Sequence, residues 1–409
     1  MRGFRVLGGI LGIALWTAVP IQPHAENIAA YGTVEGKVGL DFFQKDSPLN
    51  AGAMGNYGLD NHLLLNATTK LSAGRGAFAV VNADVLFQEL VGSRDNQQMQ
   101  AIAGTLNEAY ITVPLADFLF FSLGKKRIVW GTGLSYNPSD FINPPKDPLN
   151  PQLEKRGVSC ALFELFTDWL SVTQAAVFYD QLDHFGYGTK LSTSRLIPST
   201  DISLVSYYSA HAQFNLGASI DSTPFGEVPV LENLALHAES GFSQSSERLV
   251  YDDAVAALSE RASRADFYKS FLAGLRYTIP GGETLIAAEY FHIDDGYSPA
   301  ELDAILAHGL AVQMSYEPGL MCRDNLMLSV TQPQLTQRVN AFTDALSVSA
   351  AMLLNLRDSS FIVTGRIESS LVANCVFALE AGYFSGGSAT EYGISPRKLY
   401  AAFFTTVGF

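Results

Sequence analysis

The closing segment Leu399-Tyr-Ala-Ala-Phe-Phe-Thr-Thr-Val-Gly-Phe409 decides the fold. Counted back from the end, Phe409, Val407, Thr405, Phe403, Ala401 and Leu399 make one largely apolar face with a period of two. Gly408, Thr406, Phe404, Ala402 and Tyr400 make a smaller, mixed face. Side chains alternate across a β-strand, so this pattern belongs to a strand with two unlike surroundings. Lipid on one side and a lumen on the other is one such pair. A buried strand ending a water-soluble domain is another, and the rest of the chain separates the two.

The N-terminus favours the first. Arg2 and Arg5 precede Val6–Val19, a run without charge, and then Pro20-Ile-Gln-Pro-His-Ala25. This is the layout of a secretory signal peptide over residues 1–25, and the apolar run is shorter than a membrane-spanning helix needs. Removing Arg2 and Arg5 takes the formal charge down by two, from −14 to −16. An exported chain ending in a strand with a terminal aromatic resembles the bacterial outer-membrane β-barrels. In that resemblance Phe403, Val407 and Phe409 are the signal read by the barrel-assembly machinery.

Composition agrees. Charged residues are 16% of the chain and hydrophobic ones 48%, whereas about 25% charged is usual for soluble domains. After residue 25 no stretch reaches the roughly 20 apolar residues of a membrane helix. Hydrophobicity spread in alternation leaves the closed barrel, the other fold whose backbone is satisfied internally in lipid. The acidic balance argues against nucleic acid as a partner. Cys160, Cys322 and Cys375 are odd in number and read as isolated thiols, not a disulfide framework.

Alternation and turn residues predict strands at 31–43, 62–71, 77–90, 101–113, 117–131, 155–166, 168–180, 186–195, 200–209, 213–221 and 231–243. They continue at 267–279, 282–292, 309–317, 324–332, 344–356, 359–371, 374–385 and 398–409. The count is odd where bacterial barrels are mostly even, which points to a false strand in 186–221 or 309–332. At about 24 residues per strand and connection, residues 26–409 make about 16 strands, within 14–18. The expected fold is therefore all-β: one transmembrane antiparallel barrel, with short helices in its extracellular loops. Helices are expected at 252–265, capped by Asp252 or Asp253, and at 298–308, where Ser298-Pro-Ala-Glu301 is a capping box and Gly309 a stop.

The strongest internal motif is Leu123-Gly-Lys-Lys-Arg-Ile-Val-Trp130-Gly-Thr-Gly133, then Asn137-Pro-Ser-Asp140-Phe-Ile-Asn143-Pro-Pro-Lys-Asp147-Pro-Leu-Asn-Pro151, then Lys155-Arg156-Gly157. A basic strand end passes through glycine into a loop stiffened by prolines and returns as another basic strand end. The arrangement resembles porin-like and alginate-export-like outer-membrane barrels over 123–157. The resemblance implies a channel in the bacterial outer membrane for passive diffusion of a small polar solute. The loop over 134–152 is expected to fold into the lumen and narrow it.

Lys125 and Arg127 lie two apart and are expected on one face; with Arg156, Asp140 and Asp147 they form the candidate constriction. Asp84, Glu108, Glu164, Arg276, Glu289, Arg366, Glu368 and Glu380 fall in the polar phase of their strands and are expected to face inward. Two rival readings stand beside the pore: a fatty-acid-type transporter of hydrophobic compounds, with a plugged apolar lumen, and a structural or adhesive surface barrel. No cofactor or metal is expected. The chain carries no phosphate loop and no His-Glu-x-x-His or Gly-x-Ser-x-Gly. Asp183-His184 and Asp294-Asp295 are too scattered to argue for an enzyme.

Overall fold

The computed structural model describes residues 28–50, 55–73, 76–92, 98–143, 148, 156–179, 185–210, 212–246, 248–252, 254–255, 257–260, 267–281, 283–314, 316–335 and 345–409. The signal peptide expected over 1–25, Asp147 and Asp183-His184 lie outside these residues.

The strands are β1 (Ile28–Phe43), β2 (Tyr57–Ser72), β3 (Phe78–Gly92), β4 (Gln98–Ala116), β5 (Leu119–Lys126), β6 (Val158–Phe166) and β7 (Ser171–Phe178). β8 (Phe185–Ile197), β9 (Thr200–Ser209), β10 (Gln213–Ser222) and β11 (Leu234–Ser243) follow. A small hairpin, β12 (Leu249–Asp252) and β13 (Ala257–Glu260), stands apart from the main sheet. Then come β14 (Tyr268–Thr278), β15 (Leu285–Ile293), helix α1 (Pro299–Ala307), β16 (Asp324–Gln332), β17 (Leu346–Asn355), β18 (Phe361–Val372), β19 (Cys375–Ser385) and β20 (Arg397–Gly408). Apart from the hairpin, each strand pairs antiparallel with its chain neighbours, and β1 pairs with both β2 and β20. The result is one closed barrel of 18 strands.

The barrel thus has 18 strands, not about 16. Connections such as 117–118, 198–199 and 373–374 are tighter than the average assumed, so more strands fit in the same length. The false strand is 309–317. Gly309, at φ +69°, ends α1, and a 3₁₀ turn at Ala311–Gln313 follows. The expected capping box is present: Ser298 Oγ accepts from Glu301 N and the Glu301 carboxylate accepts from Ser298 N. The helix expected over 252–265 is not formed in its described part, where Tyr251 pairs with Leu258 in the β12–β13 hairpin. Residues 253, 256 and 261–266 of that range lie outside the described ones.

Closure is made where the sequence begins and ends. Gly32 and Phe409 exchange both backbone hydrogen bonds at 3.0 Å, and the Phe409 ring lies over Gly32, where a Cβ would stand 2.7 Å from it. On β20, Leu399, Ala401 and Phe403 are exposed on the outer face. Tyr400 and Thr406, in the other phase, reach the carboxylates of Glu380 and Glu35. Ile102, Ile111, Phe163, Leu204, Ile286 and Leu379 are likewise exposed large apolar side chains. An apolar exterior over a hydrogen-bonded polar interior is what a barrel in lipid requires. No described helix is long and apolar enough to cross a membrane. The three cysteines are free and buried.

The two rims differ. Next to the termini, 117–118, 198–199 and 373–374 are tight, although 223–233 and 333–345 are longer. From the opposite rim depart the connection of β5 to β6, the segment with β12 and β13, the segment with α1, and 386–396. There Leu302, Ile305, Met321, Cys322 and Ile394 form a buried cluster that joins α1 to its neighbouring loops.

Candidate functional site

The segment after β5 does not run over the rim. Residues 128–143 form a strap against the inner faces of β6 to β16, and Asn143 Nδ2 donates to Ile128 O at 2.5 Å to close its base. Ile128, Trp130 and Ile142 are buried with Cys160, Leu162, Val177, Val205 and Tyr207 of the wall. Leu134 and Tyr136 pack on Leu272, Phe291 and Met327 further round.

Two conditions let an irregular segment lie there. The first is room. Trp130 occupies the space a Cβ on Gly188 would need, Ser139 that of Gly217, and the Pro138 carbonyl that of Gly241. Gly217 and Gly241 are register partners on β10 and β11, so the missing side chains form a continuous bed. The second is satisfaction of the strap's own N–H groups, which have no ladder partner and are out of water. Glu239 of β11 accepts from the backbone N–H of Thr132, Gly133 (2.7 Å) and Ser139 (3.4 Å), and from the hydroxyls of Thr132 and Ser139. Glu289 of β15 accepts from Leu134 N at 2.6 Å and from Ser135 N at 2.7 Å and Oγ at 2.5 Å. His237 of β11 meets Glu289 Oε1 through Nε2 at 2.6 Å. All three wall residues are buried.

The expected site residues are distributed as follows. Lys125 stands opposite Ser159, in the phase of Leu123 and Phe121 that belongs to the outer face. The cation turned inward is Lys126, which pairs with Glu164 at 2.8 Å and donates to Ser122 at 3.1 Å. Arg127 comes after the end of β5 and pairs with Glu108 at 3.5 Å, so it does not continue a face with Lys125. Asp140 turns back on its own loop and accepts from Asn143 N and Nδ2 at 3.2 and 2.9 Å. Arg156 is exposed, two residues before β6 begins. Asp147 and the second half of the proline-rich loop, apart from the buried Pro148, lie outside the described residues.

The polar-phase set meets partners on its own strand, on neighbouring strands and, for Arg276, one strand further on. Asp84 accepts from Asn66 and Asn107 at 2.6 Å each, Arg276 pairs with Asp221, and Arg366 pairs with Glu368 and Glu380 at 2.6 and 3.0 Å. Lys37 pairs with Asp60 at 2.7 Å, and Arg397 with Asp41 at 3.2 Å. Glu239 and His237 were not among the expected residues. Their signal is the phase His237, Glu239, Gly241 on β11, polar or small at every second position.

No protein-family model matches the chain, and no curated protein matches its sequence. Solved structures share its fold. Pseudomonas aeruginosa OccK5 (OpdH) superposes with a TM-score of 0.57 at 10% identity, covering 95% of this chain and 99% of that one. Pseudomonas aeruginosa OccK7 (OpdD) gives 0.56 at 10% identity, with 93% and 99% covered. The outer membrane protein OprD from Pseudomonas aeruginosa gives 0.55 at 7% identity, with 96% of each chain covered. The chain therefore has the closed-barrel fold of these proteins over nearly its whole length.

Proposed function

We propose that this protein is a porin-like channel of the bacterial outer membrane through which small polar solutes diffuse passively. The observation that carries the reading is the placement of the strap inside the barrel wall. Residues 128–143 are held on the β6–β16 wall by Glu239 and Glu289. The wall from β18 round to β4 bears inward charges and amides, among them Lys37, Asp60, Asp84, Arg366 and Glu380. A wall of paired charges favours water and polar solutes over an apolar cargo. The strap narrows the barrel, and the solute passes between strap and polar wall. The rim with the termini faces the periplasm, the rim with α1 faces outward, and the C-terminal strand is read by the assembly machinery. The protein acts without chemistry on its solute.

The test is single-channel recording from folded protein in a planar bilayer. Stepwise conductance, nearly ohmic at low voltage, supports the reading. A folded, inserted barrel that passes no ions makes it a structural or adhesive barrel instead.

A further inference from the structure

The outer face carries a groove that the fold does not explain. Ala350, Gly365, Ala381 and Ala401 are successive register partners across β17, β18, β19 and β20, and all fall in the outward phase. With flanking side chains such as Ile367 and Phe403 they line a depression of about 700 Å³. Strands lie about 4.8 Å apart, so the floor crosses roughly 15 Å of sheet.

Gly365 is the informative residue. A glycine inside a strand is retained for a positive φ, for a close approach within the fold, or for the approach of something outside it. Gly365 does not have positive φ. A Cβ built there meets nothing within 4 Å. Gly188, Gly217 and Gly241 of the lumen wall are each crowded by the strap. Nothing in the fold occupies the space over Gly365, and in this groove its missing side chain leaves room for a molecule lying against the barrel.

The geometry points to an acyl chain of a membrane lipid, held in this groove as a bound ligand distinct from the freely exchanging lipid around the barrel. Three observations select this occupant. The depression lies on the apolar exterior, so on the membrane reading given above the medium facing it is hydrocarbon. Gly365 and Ala381 are each four residues from the strand end at the rim carrying α1, about 13 Å along the strand. That depth suits a chain whose headgroup sits at that rim. The surface is concave: in a two-fold dimer the same patch meets itself, and two facing grooves would leave a void where a slender chain fills one.

The inference needs the membrane location but not conduction, so the two are tested apart. Wild type and Gly365→Leu are purified in mild detergent, supplied with a defined phosphatidylethanolamine, washed, and weighed by native mass spectrometry. Heat-modifiable mobility confirms that each barrel is folded. A leucine at 365 meets no atom of the chain near its Cβ and fills the floor. Ala381→Leu is the second variant should the first not fold. The expected result is about one lipid retained per wild-type chain and at least a fivefold lower occupancy in the variant, with conductance unchanged. Equal occupancy in both proteins, or none in wild type, overturns the inference. A wild-type oligomer that the variant breaks assigns the groove to a second copy of the chain and also overturns it.

Discussion

His237 and Glu289 meet across Gly274. The register places His237 opposite Gly274 on one side and Glu289 opposite it on the other. Their side chains close over the glycine, with Nε2 and Oε1 2.6 Å apart. A Cβ at 274 would stand 2.5 Å from the imidazole Nε2 and 2.7 Å from Glu289 Cγ. One missing methyl group lets strands that are not neighbours share a hydrogen bond, and that bond orients the carboxylate holding the strap.

Gly274→Ala is therefore expected to separate the pair and loosen the strap at Leu134 and Ser135 while leaving the barrel closed. The check is channel noise together with proteolysis of 128–143 in folded protein. Open-channel current should fluctuate more, and cleavage in the strap should rise severalfold. Quiet current and a protected strap would show that the pair has no such role.

Glu239→Ala removes the acceptor for the N–H groups of Thr132, Gly133 and Ser139. A buried donor left without an acceptor costs about 1–3 kcal/mol. The strap should leave the wall, where the barrel itself should stay folded, because no ladder bond is lost. Single-channel conductance is expected to rise, and the Trp130 emission should shift to the red as the indole leaves its bed on Gly188. An unchanged Trp130 spectrum would mean that the apolar contacts hold the strap alone.

Closure predicts the effect of the two chain ends. Gly32→Val places a side chain where the Phe409 ring and the Asn66 carbonyl lie. It should prevent β1 from pairing with β20, as deleting Phe409 is expected to do, and leave open edges that aggregate. Both variants should lose the heat-modifiable folded band in electrophoresis. Normal folded yield from either would show that closure tolerates a different register.

On the channel reading, ion selectivity is expected to follow Lys126 and Arg127 and not Lys125. Screening at 0.15 M salt cuts fields off beyond roughly 8 Å, so a permeating ion responds to charges on the lumen wall. Replacing Lys126 and Arg127 by Gln leaves Glu164 and Glu108 without their cations. Reversal potentials in a salt gradient should move toward cation preference in that double variant and stay put in Lys125→Gln. The opposite pattern would return Lys125 to the lumen.

The loops opposite the termini have their own pH dependence. Burial of Glu391 raises its carboxyl above the ordinary value of 4.5, against the opposing hydrogen bonds from Asn355, Met321 and Cys322. A raised acid in the folded state binds more protons there than in the unfolded state, so it loses stability as pH rises from 4.5 through the folded value. Amide exchange in 316–323 and 386–396 should speed up across that window, and Glu391→Gln should flatten the change. Exchange that slows with rising pH, after correction for the intrinsic rate, would contradict the assignment.

The barrel was legible because alternation is written locally, as in Leu399–Phe409. The site was legible only in part. Three adjacent cations, Lys125, Lys126 and Arg127, offer either parity, and the phase of Phe121 and Leu123 is what turns Lys126 inward. Arg127 escapes parity altogether because the strand ends before it. Glu239 lies far from the strap in sequence, and only closure of the sheet brings β11 beneath Thr132 and Ser139. In its described part the 252–265 helix gives way to the cross-strand pairing of Tyr251 and Leu258, which a local cap at Asp252 or Asp253 cannot foresee.

The most direct test is the conductance of wild type beside a Glu239→Gln, Glu289→Gln double variant, both folded and inserted in planar bilayers. Neutral amides no longer hold the strap N–H groups with a charged acceptor, while side-chain volume and barrel ladder are preserved. The account predicts a small, steady, nearly ohmic wild-type conductance and a larger, fluctuating one in the variant. A wild-type barrel that conducts nothing, or two proteins with identical conductance, would contradict a diffusion channel narrowed by a wall-bound strap.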